Sequence, residues 1–358
     1  MKYIALTVMI SLTAFQLHAQ EEKGITVNWN AYAELYYSYD FNKPVDHNKP
    51  PFLYSHNRSN EFNLNLGYLK GSMTGERVRA NLALAAGTYI NANYSSEPGV
   101  LKNIYEASAG IKLSKKENLW FDIGIMPSHI GFESAISKDC WTLTRSIMAD
   151  NSPYYETGAK LSYTTKNEKW FLSGMILNGW QRIKKPDGID KPSFGTQVTF
   201  KPSPNVLINH SSFFGTDHPD STGQYRIFQN LYSVISFSSS WGLTLGFDYG
   251  LEKQPKPGES WYQWYSPVAI LRFQPSPQWA FAGRGEFYED AKGVIIPVAN
   301  SNGFSVSGYS LNIDHMPAKW VSVRLEIRTL LSQAPIFVKG DETVNNNTSI
   351  SFSTAVSF

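Results

Sequence analysis

The 358-residue sequence contains one cysteine, Cys140, so no internal disulfide can form, and no Cys/His spacing resembles a metal site. Neither metal nor cofactor is expected. After the N-terminal segment no stretch approaches the roughly eighteen uninterrupted apolar residues of a membrane helix, which excludes a helical inner-membrane protein. Charge of one sign is also missing: 32 Lys and Arg against 30 Asp and Glu leave +2, so nucleic acid is not expected as a partner. No linker divides the chain, because its Pro-bearing pieces are short and evenly scattered. No G-x-S-x-G is present, and Ser128-His129, adjacent in sequence, is not a dyad in itself, so an enzyme is not expected.

Residues 1–19 begin with Lys2, continue through an interrupted apolar run and end at Ala19, the order of a secretory signal peptide. The mature chain is then 20–358, and with no cysteine at the cut a lipid anchor is not expected. An exported chain without a helical anchor belongs in the periplasm, the outer membrane or the medium.

What the sequence does have is alternation. Val78, Ala80, Leu82, Leu84 and Ala86 share one face of a strand, while Arg77, Arg79, Asn81 and Ala83 share the other. Val27, Trp29, Ala31, Ala33 and Leu35 likewise oppose Asn28, Asn30 and Glu34; Phe62, Leu64, Leu66 and Tyr68 oppose Glu61, Asn63 and Asn65. The same holds for Trp241, Leu243, Leu245 and Phe247 against Thr244 and Asp248, and for Val321, Val323, Leu325 and Ile327 against Ser322, Arg324, Glu326 and Arg328. A strand apolar on one side and polar on the other is the unit of a transmembrane β-barrel. Negative mean hydropathy with 14% aromatic residues fits, since half of each strand faces water and aromatics gather at the membrane interfaces.

The connections alternate in length. Seven short turns, near 73–76, 114–118, 166–168, 202–205, 238–240, 275–277 and 314–318, alternate with eight longer loops, near 41–58, 87–103, 127–155, 180–193, 215–225, 252–262, 289–303 and 333–346. Together they predict an all-β fold: one antiparallel up-and-down transmembrane barrel of about sixteen strands, both ends on the short-turn side. A barrel of that size leaves an aqueous channel. The strands around 170–180, 206–214 and 226–237 are the least cleanly two-faced.

The tail adds an assembly signal. Phe352, Val356 and the terminal Phe358 lie on one face of the last strand, and the terminal Phe resembles the signal by which Gram-negative outer-membrane proteins engage the barrel-assembly machinery. A-E-L-Y-Y-S-Y-D-F-N-K-P at 33–44, F-L-Y-S-H-N-R at 52–58, N-E-F-N-L-N-L-G-Y at 60–68 and P-S-H-I-G-F-E-S at 127–134 resemble the OmpL-like β-barrel porin family. The resemblance implies an outer-membrane barrel of a Gram-negative bacterium, surrounded by outer-membrane lipid, that passes small hydrophilic solutes such as ions or sugars. It also leaves room for a homo-trimer. The alternatives are a non-conducting structural or adhesin-type barrel and an outer-membrane hydrolase.

Likeness to general porins implies that the third long loop, 127–155, folds into the lumen and narrows it, with Glu133, Asp139, Trp141, Arg145 and Asp150 as its functional side chains. The residues agree: Ile130, Phe132, Trp141, Leu143, Ile147 and Met148 need somewhere to pack, and Ser137 can open a short helix. The alternative is an external loop folded on its neighbours. Arg77, Arg79, Arg272, Arg284, Arg324 and Arg328, interspersed with Glu34, Glu61, Glu286 and Glu326, fall on one arc of wall once the barrel closes. They are candidate pore-lining residues that set ion selectivity, or else solvated wall paired with the glutamates. Loop aromatics such as Tyr89, Tyr94, Trp141, Tyr154, Tyr155, Trp180, Trp261 and Trp264 are either a stacking path or packing.

Overall fold

The computed structural model describes residues 24–255, 260–298 and 302–358, so the signal peptide expected at 1–19 lies outside the described residues. Strands β1 (Thr26–Asp40), β2 (Glu61–Thr74), β3 (Val78–Ala86), β4 (Ile104–Lys112), β5 (Asn118–Pro127), β6 (Tyr155–Thr164), β7 (Trp170–Leu177) and β8 (Ser193–Ser203) form the first half. The second half comprises β9 (Val206–Gly215), β10 (Tyr225–Ser236), β11 (Trp241–Lys253), β12 (Trp261–Ser276), β13 (Trp279–Asp290), β14 (Phe304–Ala318), β15 (Val321–Ser332) and β18 (Asn346–Ser357). Each pairs antiparallel with its neighbours, and β18 returns to β1, closing a sixteen-stranded barrel. A short hairpin, β16 (Phe337–Lys339) with β17 (Glu342–Val344), stands in the last long loop. Closure leaves no unpaired sheet edge, the condition for strands to lie in lipid.

Six of the seven short turns and all eight long loops fall near where the alternation places them. The turn expected at 314–318 lies at 319–320, because β14 runs on to Ala318 through an irregularity after His315, and the three less two-faced segments are strands β7, β9 and β10. The outward face is apolar: Leu35, Leu82, Leu84, Leu245, Phe247, Leu325, Ile327 and Phe352 are exposed. Stacked pairs Trp170–Phe200 and Trp241–Phe273 form part of an aromatic belt at the short-turn end. The seam closes on the last residue, whose amide donates to Ala31 O at 3.0 Å and whose carbonyl accepts from Ala31 N at 2.8 Å.

In β2 the alternation misassigns two residues. Leu66 and Tyr68 do not share the outward face with Phe62, because the β1–β2 register slips at Glu34/Leu35. This bulge inserts Asn65 as an extra residue and inverts the phase beyond it. Leu66 becomes fully buried, Tyr68 stacks on Tyr32 at 5.7 Å inside, and Leu69 faces out. The bulged Asn65 is used: its amide donates to Glu34 Oε2 at 2.9 Å and accepts from His56 N.

The candidate pore and its inserted loop

The third loop lies inside the barrel. Its packing begins with missing side chains on the wall: a Cβ at Gly195, Gly242 or Gly246 would come within 2.7, 2.8 or 2.6 Å of His129, Trp141 or Phe132. These wall glycines on β8 and β11 leave room for the loop's bulky groups. A four-residue helix (Ile147–Asp150) is capped by Ser146, whose hydroxyl accepts from Ala149 N. Ser137, the cap expected from sequence, instead lies within a 3₁₀ turn, Ser137–Asp139, that has Ile136 at its start; its hydroxyl serves Glu34.

Polar anchors then fix the loop to the wall. Arg284 on β13 donates to Thr144 O at 2.7 Å, to the Thr142 and Thr144 hydroxyls at 3.0 Å, and to Glu326 Oε1 at 3.0 Å. Glu326 Oε2 accepts Thr144 N, Glu286 Oε2 accepts Ile147 N at 2.6 Å, and Asn312 accepts Leu143 N at 3.0 Å. Arg324 is held bidentately by Asp314 and donates to the Ser137 and Cys140 carbonyls. Arg328 binds Glu286 at 2.7 Å. On the far side His129 sets Nδ1 against Glu156 at 2.7 Å and Nε2 against Ser212 O at 2.8 Å. Burial disfavours its charge, yet the Glu156 carboxylate raises its pKa above the usual histidine value.

The candidate residues therefore separate into groups. Arg284, Arg324, Arg328, Glu34, Glu286 and Glu326 are brought together, but buried beneath the loop and paired. Arg272 is half-buried against Trp141, with its guanidinium 5.9 Å from the ring centre. Glu61 lies at the outer end of β2 and pairs with Arg58 at 2.8 Å. Arg77 sits in the exposed β2–β3 turn, against Lys112 O. Within the loop, Glu133 and Asp150 are buried, and Arg145 is wholly buried, donating to the Leu143 and Ala135 carbonyls. Asp139 is exposed and lies within electrostatic reach of Tyr68 and Tyr105.

A family model described as "Putative beta-barrel porin-2, OmpL-like" matches residues 26–358. The chain belongs to that family. It is an OmpL-like β-barrel of the Gram-negative outer membrane. No curated protein matches it in sequence. Among solved structures it is similar to an anion-selective porin from Comamonas acidovorans, with TM-score 0.61 and 10% identity over 93% of this chain and 100% of that one. The outer-membrane channel DcaP of Acinetobacter baumannii gives TM-score 0.60 and 10% identity over 94% and 98%. In-vitro folded OmpT of Vibrio cholerae, in a trimer form, gives 0.59 and 7% over 94% and 100%.

In this OmpL-like barrel the loop's polar anchors fall on β1, β18 and the wall from β15 round to β9, with one more on β6 through His129–Glu156. Ala135 packs in an apolar cluster with Leu66, Ala85 and Ile125, whereas charged groups of β2 to β5 pair with one another within the wall. There Arg79 binds Asp122 bidentately at 2.6 Å with its guanidinium 4.3 Å above Trp120, and Lys70 pairs with Glu106 at 2.5 Å. Lys160 sits directly across from Asp122. Arg79, Glu106, Asp122 and Lys160, with Asn81, Ser108, Ser162 and Thr164, line a cavity of about 280 Å³ that reaches Met126 and Pro127. A second polar cavity of about 290 Å³ lies where loops converge, lined by Tyr54, Asn93, Asn151, Gln181 and Arg182 among others. Several tyrosines pair with one another: Tyr68 stacks on Tyr105 at 5.7 Å, Tyr94 on Tyr155 at 4.0 Å, and Tyr89 meets Tyr154 edge-on. Of the loop aromatics, Trp264 is buried inside and Trp261 is exposed at the start of β12.

The sequence reading missed Lys70, Glu106, Asp122 and Lys160. The signal was present: Glu106, Ser108 and Gly110 alternate with Ala107 and Ala109, and Lys160 and Ser162 with Leu161. It was overlooked because small residues on the outer face weaken the contrast.

Proposed function

We propose that the protein is a diffusion pore for small hydrophilic solutes, narrowed by residues 127–155. Solutes pass between that loop and the β2–β7 wall. One observation carries this reading: the loop is fastened over the buried ion pairs of β13, β14 and β15, while Arg79, Glu106, Asp122 and Lys160, which make no hydrogen bond to the loop among the described residues, line a cavity. In this proposal Arg79, Asp122, Lys160, Lys70 and Glu106, facing Asp139, set ion preference, and the buried arginine arc holds the loop in place. Fixed charges in a wet passage bias which ions pass more than they obstruct flow.

The role is transport rather than catalysis. Both ring nitrogens of His129 face acceptors, and Ser128 Oγ accepts from Ile130 N, so these neighbours do not act on each other. Phe352, Val356 and Phe358 act in assembly, with the machinery reading the exposed apolar face of β18. A homo-trimer, the form described for one OmpT structure, is part of the proposal and is tested by native mass in detergent. Planar-bilayer conductance of the purified protein, with ion selectivity measured in a salt gradient, tests the main claim. A folded barrel that never conducts would instead be a structural or adhesin-type barrel.

A further inference from the structure

Between loops one, two and eight lies a cavity of about 750 Å³ that the pore reading does not use. Pro44, Val45, Pro50, Pro51, Leu53 and Val338 give it apolar walls, and Lys49, Asp40 and Asn347 also line it. A volume of this order suits a medium-sized organic ligand.

Lys49 is unusual. It is 4% exposed, yet among the described residues its ammonium, with three donors, has a single hydrogen-bond partner, Ser38 Oγ at 3.2 Å. Burial and the charge of Arg328 push its pKa down to about 8. Nearby acids act on it electrostatically but are committed elsewhere. Asp40 receives both oxygens' hydrogen bonds from Asn347, and one from Asn42 N. Glu326 is taken by Arg284 and Thr144. Asp150 accepts from Ser55. A buried ammonium with spare donors is costly unless an acceptor reaches it, and a charged acceptor makes the stronger bond.

We propose that this cavity is a binding site for organic carboxylates with an apolar body, the carboxylate bound by Lys49 and the body lying against the proline-rich wall. The cavity shares Tyr54, Ala92 and Ser95 with the polar cavity where the loops converge, so the site adjoins the route inward and selects solutes at the outer mouth.

The test is calorimetric titration of the purified, folded barrel with N-acetyl-leucyl-phenylalanine and with its C-terminal amide, which differ in the carboxylate alone. The acid is expected to bind and the amide to bind at least about tenfold more weakly. Lys49→Met should weaken the acid to the level of the amide, and Lys49→Arg should restore part of the loss. Folding is checked by heat-modifiable mobility on gels. Should Lys49→Met fail to fold, Ser95→Trp, which fills the rim shared by the two cavities, should weaken the acid. Equal binding of acid and amide, or no heat from the parent protein at millimolar ligand, overturns the proposal. Titration reads binding whether or not the barrel conducts, so its failure is distinguishable from failure of the pore.

Discussion

Arg284 and Glu326, on wall strands β13 and β15, meet at 3.0 Å inside the barrel and clasp the same loop residue, Thr144, by its carbonyl and its amide. Both side chains are fully buried. Two charges expected to face solutes instead secure the loop that covers them. Removing one partner of a buried pair strands the other, at a cost of about 3–5 kcal/mol, whereas removing both costs less. Glu326→Gln should therefore loosen the loop, and Arg284→Met with Glu326→Met should loosen it less than the single change. Protease protection of residues 127–155 in folded protein measures both.

Deleting residues 134–149 should leave the wall ladder intact and raise single-channel conductance severalfold. Conductance equal to the parent's in a folded deletion variant would show that this loop does not limit flow.

Ion preference should follow the β2–β7 wall. Lys160→Gln and Arg79→Ser should each move the reversal potential in a salt gradient toward cations, and Asp139→Asn toward anions. Arg77→Ser, at an exposed turn, should leave it unmoved.

The pH dependence has a definite sign. Burial lifts Asp150 to about 7 against the opposing pull of Arg328 and Arg145. A folded value above the ordinary 3.8 means that stability is full below the unfolded value and is lost as pH rises through about 7. Between pH 6 and 8 the loop should gain negative charge, shift preference toward cations and exchange amide hydrogens faster. Asp150→Asn should remove the part of the change due to this residue; an unaltered profile would exclude it.

Phe358 is 82% exposed and bonds through its backbone to Ala31 at the seam. Phe358→Ala should reduce the amount of barrel in the outer membrane and leave the conductance of assembled molecules unchanged. Altered conductance with normal assembly would place it in transport instead.

Much of the architecture could be read from residue order because it is a local property. A period of two separates lipid from water within each strand, and Val78, Leu82 and Leu84 against Arg79 and Asn81 need no partner to reveal it. Turn lengths then count the strands. The bulge at Asn65, which turned Leu66 and Tyr68 inward, was not legible, because a register slip is decided between two strands. Nor was the fate of the arginines. Alternation showed that Arg284, Arg324 and Arg328 point inward, but a charge beside water and a charge beneath a loop have the same spacing in sequence. Only the path of residues 127–155, admitted by Gly195, Gly242 and Gly246 and fastened by Thr144 and Ile147, decided which wall charges were covered. Facing direction is set by neighbours along the chain, whereas burial depends on segments distant in sequence that meet when the barrel closes.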